Sequence, residues 1–203
     1  VDGKFAVDLT NGLPTKVKGF VADGATDLLY ARSEEDIEGQ TTGNNYPVNF
    51  TFSHLLSKVK FTVINNSRAA EEYSFKVNAI TISGNSKGDV TLEDKTWDNF
   101  STPETYNVAE IVVNKDTADA GQECEQELLL IPGTLFNIAF NVDIYNGTTK
   151  LGSQAYPIST PYQYTLVPGY SYNFVINVAV GEEITFSVTE QPTWNGPHDN
   201  KLL

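Results

Sequence analysis

Two histidines, His54 and His198, and a single cysteine, Cys124, are the only imidazoles and the only thiol among 203 residues. A nucleophilic centre needs a base beside a serine or cysteine, and neither histidine is placed to serve as one. His54 lies inside a strand-like run, the usual setting of a structural histidine, and His198 stands in the polar tail PHDNKLL. A zinc site takes three or four His, Cys, Asp or Glu ligands, which two distant imidazoles and one thiol supply poorly. The acidic residues fall in small clusters, Glu34 to Glu38, Glu71 and Glu72, Glu123 to Glu127, and Glu182 and Glu183. None has the alternating oxygen-ligand spacing of a calcium loop, so they read as solvated loops. No GxSxG elbow, HExxH pair, GxxxxGK loop or GxGxxG turn occurs. The expectation is a chain without catalytic residues, cofactor or metal ligands. Its formal net charge of -13 also argues against nucleic acid, which is bound through phosphate neutralisation.

Cys124 alone cannot form an intramolecular disulfide, and it excludes paired-cysteine zinc and redox motifs. No apolar run is long enough to span a bilayer, and no basic leader precedes an apolar segment. The start at Val1 without methionine leads us to expect processing or a missing leading segment. Five tyrosines, Tyr156, Tyr162, Tyr164, Tyr170 and Tyr172, cluster near prolines. Tyr162 and Tyr164 are the candidates for stacking on sugars, against the alternative that they pack strand edges as tyrosine commonly does. Asn-x-Ser/Thr triplets at Asn49, Asn65, Asn99 and Asn146 can arise by chance in a chain rich in Asn and Thr.

The elements that must carry these residues are strands. In VNFTFSHLLSKVKFTVIN, Val48 to Asn65, the residues Val48, Phe50 and Phe52 share one parity and Val59, Phe61 and Val63 the other. Successive strand side chains point to opposite faces, so a bulge or break must intervene, and the LLSK segment is expected to bend the chain between two core-facing runs. His54, Leu56 and Lys58 are the candidates for holding that bend. Further strand signals are Phe5 to Leu9 and Val17 to Val21 around Asn11-Gly12, Tyr73 to Ile82, Val90 to Leu92, and Leu128 to Ile131 before Pro132-Gly133. Phe136, Ile138, Phe140, Val142 and Ile144 are expected on one face of a hairpin closed by a type I′ turn at Asn146-Gly147. Tyr170 to Val180 repeats every second residue, and Ile184, Phe186 and Val188 continue as its neighbour across Gly181. Trp97 and Trp194 are expected to cap the ends of the core. No helical period competes. The expectation is all-β: strands in 1–31, a polar linker at 32–46, a Greek-key β-sandwich at 47–195, and a tail at 196–203.

Several segments together resemble the fimbrillins, the pilus subunits of Bacteroides-type bacteria, and in particular their Mfa-like branch. They are Asp27 to Ala31 (DLLYA), Phe50 to Asn65, Ile80 to Gly84 (ITISG), Leu128 to Gly133 (LLLIPG), Pro168 to Val178 (PGYSYNFVINV) and Ile184 to Trp194 (ITFSVTEQPTW). Their order and spacing extend over nearly all of 27–195. The resemblance implies transthyretin-like β-sandwich domains, export through a lipoprotein precursor, and assembly with other pilus subunits on the outer surface by β-strand complementation. On that pattern residues 1–31 are the closing strands of a partial N-terminal β domain. Cys124 is internal and does not match a lipid-bearing cysteine. The tail after Trp194, polar and broken by Pro197, is a poor donor strand, which favours an accessory, tip or anchor adhesin over a stalk subunit. The resemblance brings no catalytic residue. The alternative is a surface glycan-binding module that uses exposed aromatics. Asp116-Thr117-Ala118 also resembles a short O-glycosylation motif of such exported proteins.

Overall fold

The computed structural model describes residues 5–32, 50–67, 73–114, 121–157 and 164–192, and every regular element among them is a strand. Val48, Asn49, Tyr162, Trp194, His198, most of the expected linker and the Asp116 motif lie outside the described residues. One main sheet runs β10 (Ile111–Val113), β6 (Tyr73–Asn85), β14 (Asn137–Asn146), β15 (Thr149–Pro157), with β9 (Pro103–Val108) also paired to β6. The other runs β11 (Gln122–Glu123), β5 (Ser57–Asn65), β17 (Ser171–Val178), β18 (Thr185–Gln191), with β12 (Leu128–Leu130) also on β5. The two sheets enclose one core. Val59, Phe61 and Val63 of β5 and Tyr172, Phe174 and Ile176 of β17 meet Phe75, Val77, Ile80 and Ile82 of β6 and Ile138, Phe140 and Val142 of β14. Phe140 stacks across the gap on Phe186, which stacks in turn on Phe174 at 5.6 Å. Each such side chain contributes about 1.5–3 kcal/mol by leaving water, and alternation along each strand is what gathers them on one side. The chain is therefore a β-sandwich.

A third sheet runs β1 (Ala6–Thr10), β2 (Leu13–Val21), β7 (Lys87–Thr91), β8 (Trp97–Asp98). It joins strands from both sides of the boundary expected near residue 31. Beneath it lies a second core, in which Val17, Phe20, Leu28, Leu55, Leu56, Val90, Leu92, Trp97 and Ile131 are all buried. Two ribbons complete the fold, β3 (Leu29–Arg32) with β4 (Thr51–His54), and β13 (Gly133–Leu135) with β16 (Tyr164–Leu166). The pairing of β17 with β5 is parallel, while the other strand pairs are antiparallel.

Three expectations need correction. The turn after β14 consists of Gly147 and Thr148, since Asn146 pairs directly with Thr149 and only Gly147 carries a positive φ, 56°. That is the pattern of a type II′ turn, which wants glycine in first place. The type I′ geometry falls instead at Asn11-Gly12, with φ of 52° and 81° between the paired residues Thr10 and Leu13. Phe136 does not share the buried face of Ile138, Phe140 and Val142; it precedes β14 and is 41% exposed. The run through Phe50 and Phe52 does not face the core either, the two rings being 55% and 63% exposed. A parity change without burial on the first side arises because β4 leaves the sandwich to pair with β3.

Candidate functional site

The chain breaks between β4 and β5 at Leu55 and Leu56, both 0% exposed, and almost every polar group there is held by a different part of the fold. The Leu55 amide donates to the Leu28 carbonyl at 2.9 Å, and the Leu55 carbonyl accepts from the Trp97 indole at 2.9 Å. The Leu56 carbonyl accepts from Gly169 at 2.9 Å, and the Ser57 hydroxyl donates to the Val167 carbonyl at 2.7 Å. Buried backbone groups must find partners or forfeit their hydration, so this satisfied junction fixes where the ribbon departs.

The three residues expected at the bend occupy distinct places in it. His54 ends β4, is 8% exposed, and sets its Nδ1 2.7 Å from Oδ2 of Asp27, whose other oxygen accepts from the Leu28 amide at 2.8 Å. Leu56 fills the second core. Lys58 leans along the outer face to Glu127, 2.6 Å away, which Lys60 also reaches at 2.9 Å. Burial pushes the Glu127 carboxyl up, but the two ammonium groups outweigh it and hold the pKa below the usual range. Asp27 could not be matched to His54 from sequence, because no local pattern links residues so far apart.

Tyr164 is half-buried in β16, with its ring edge-on to Tyr172 at 5.5 Å and to Phe174 at 6.1 Å and its hydroxyl bonded to Glu190. The ring thus belongs to the packing at the rim of the main core. Among the acceptor triplets, Asn65 is 1% exposed, with its amide donating to the Tyr73 carbonyl at 3.2 Å. Cys124 is buried, and its thiol lies 3.7 Å from the Ala109 carbonyl. The described His, Cys, Asp and Glu residues form no group of three that could hold a metal.

The ribbon offers a different kind of surface. Tyr30 turns inward to the second core, while Leu29, of the opposite parity, Phe52, paired with Ala31 on the same side as Leu29, and Phe50, two residues before Phe52, remain 44%, 63% and 55% exposed. Each of β3 and β4 has a single ladder partner among the described residues, and β18 likewise pairs only with β17. An apolar stripe beside unpaired backbone groups is a template for another strand.

No curated protein matches this chain. Among solved structures it is similar to a fimbrial protein from Bacteroides vulgatus, at 19% identity and a TM-score of 0.64, covering 96% of this chain and 73% of that one. It is also similar to a candidate cell adhesion protein from Bacteroides uniformis, at 16% identity and a TM-score of 0.41, covering 72% of this chain and 53% of that one. The first likeness supports the β-sandwich fold. The family description that matches, "Fimbrillin-like", extends over residues 8–192, close to the entire chain, and on that match the chain belongs to the fimbrillin-like family.

Proposed function

We propose that the chain is a non-enzymatic component of a cell-surface fimbria, an accessory, tip or anchor adhesin, which joins other pilus subunits by adding or receiving a β-strand. The observation that carries this reading is the ribbon of β3 and β4, which combines an exposed stripe of Leu29, Phe52 and, just before β4, Phe50 with outer edges that have no ladder partner among the described residues in a chain of the fimbrillin-like family. Strand addition satisfies backbone groups through new ladder bonds and buries alternate side chains, so both deficits of the ribbon are met by one event. Export to the outer surface as a lipoprotein precursor belongs to the same reading.

The test is to express the complete precursor, treat it with a trypsin-like protease, and look for strand-exchanged oligomers and incorporation into purified fimbriae. Replacing Phe50 and Phe52 by lysine should leave the subunit folded, since both rings already face solvent, yet reduce assembly at least ~10-fold, a loss of about 1.4 kcal/mol. Assembly undiminished by that pair of changes, or a protein absent from fimbriae under every condition, would overturn the proposal.

A further inference from the structure

The outward face of β5, β17 and β18 carries a shallow cavity of ≈ 140 Å³ lined by Lys60, Glu123, Ser171, Asn173, Thr189 and Gln191. We infer that it is a binding site for one ring of a neutral, hydroxyl-rich sugar. The register places its groups as a grid. Ser171 is paired with Gln191 and Asn173 with Thr189 across the β17–β18 ladder, while Asn173 faces Lys60 across the β17–β5 ladder. Cross-strand neighbours stand about 5 Å apart and same-face residues along a strand about 6.6 Å. These are the spacings of ring hydroxyls on opposite sides of a pyranose.

The grid is rich in uncommitted hydrogen-bonding groups. The Thr62 hydroxyl donates to Asn173 Oδ1 at 2.9 Å, which orients the amide and leaves its nitrogen free to donate. The hydroxyls of Ser171 and Thr189 and the Gln191 amide bond to no other side chain or backbone group among the described residues. Together they supply donors and acceptors in near balance, as vicinal hydroxyls require.

Charge selects against other ligands. Lys60 is already neutralised, with Glu127 at 2.9 Å and Glu123 at 3.9 Å, and a chain of net charge -13 repels a carboxylate or phosphate. Glu123 and Glu127 are in turn engaged by Lys60, which leaves a cation no unopposed carboxylate at the cavity. Drug-sized pockets run to about 300–1,000 Å³, so this one holds a single ring, and binding without an aromatic platform should be weak, near the millimolar range. The inference concerns the isolated subunit and does not depend on strand exchange.

The test is a titration of the isotopically labelled full chain, followed by NMR, with D-mannose, D-galactose and N-acetyl-D-glucosamine in turn and sodium glucuronate as the anionic control. At least one neutral sugar should give saturable shifts centred on the side-chain amides of Asn173 and Gln191, and glucuronate should bind at least ~10-fold more weakly. Thr189→Val and Gln191→Leu, both on the exposed edge strand, should each weaken binding several-fold with the rest of the spectrum unchanged. No saturable shift with any neutral sugar up to about 100 mM, shifts centred elsewhere, equal binding of glucuronate, or indifference to both substitutions would overturn it. Because the readout is binding by the monomer, a failure here is distinct from a failure to assemble.

Discussion

If the bend between β4 and β5 is set by packing, then Leu56 must dominate it and Lys58 must matter little. Leu56 is 0% exposed in the second core beside Leu55, Trp97 and Ile131. Truncation to alanine removes its buried methyl groups and leaves a cavity that tightly fixed neighbours can close only partly, at a cost of about 2–5 kcal/mol. The neighbours here are fixed indeed, since the Leu56 carbonyl holds Gly169 and the Leu55 carbonyl holds Trp97. Lys58→Ala removes an ion pair whose lysine and glutamate side chains are 14% and 37% exposed, and pairs near the surface contribute about 1 kcal/mol or less. His54→Ala falls between, because it leaves the Asp27 carboxylate without its imidazole partner, at about 1–3 kcal/mol. Urea unfolding followed by far-UV circular dichroism, together with Trp97 fluorescence in a Trp194→Phe background, measures all three. At roughly 3 °C per kcal/mol for a chain of this size, Leu56→Ala should lower Tm by about 6–15 °C. Lys58→Ala as costly as Leu56→Ala, or Leu56→Ala costing under about 1 kcal/mol, would show that electrostatics on the outer face, and not burial, sets the bend. Separate transitions by the two probes would show that the second core unfolds apart from the sandwich.

Gly121 has φ of 71°, and a Cβ there would meet Thr62 Cγ2 at 2.8 Å and Ile64 Cγ1 at 3.1 Å, so Gly121→Ala should cost about 1–3 kcal/mol in the same denaturation assay. Asp89 is held below the usual carboxylate range by the Asn99 amide and then by the Gly19 backbone amide. A depressed pKa stabilises the fold above the ordinary carboxylate range and is lost as pH falls through it; Tm measured from pH 7 to pH 3 should therefore fall less steeply in Asp89→Asn than in the parent. Burial raises the Tyr106 hydroxyl to about 12 from 10.0. Its contribution is complete below pH 10 and is lost as pH rises toward 12, because the unfolded chain ionises first. Tyr106→Phe should then show a shallower alkaline limb in urea midpoints measured from pH 9 to pH 11.

The sandwich was legible where alternation was clean. Tyr172, Phe174, Ile176 and Val178 point inward from β17 as their spacing requires, and Phe61 and Val63 do the same from β5. Alternation failed where the backbone departs from a plain pleat. In β6 the buried positions change from Phe75 and Val77 to Ile80 and Ile82, across an exposed Ala79 with φ of 49°. There the ladder to β14 slips between Ala139 and Asn141. Nothing about an alanine announces that bulge, since the neighbours that impose it are distant in sequence. The exposure of Phe50 and Phe52 was unreadable for a related reason, because aromatic alternation records which residues share a face and not which face finds a partner.

The same limit explains why one candidate site is legible in the sequence and the other is not. His54, Leu56 and Lys58 stood out through a parity change, a local signal. The grid of Ser171, Asn173, Thr189 and Gln191 carries none, since hydroxyl and amide residues on the outer positions of a strand are what any solvated face requires. Only the parallel pairing of β17 with β5 sets Lys60 and Thr62 beside Asn173, and parallel neighbours need a long crossover whose course no short pattern encodes. The inward half of each strand is therefore specified by local periodicity. Its outward half acquires meaning only from the long-range order of the sheet, and a surface that works by touching other molecules is built from that half.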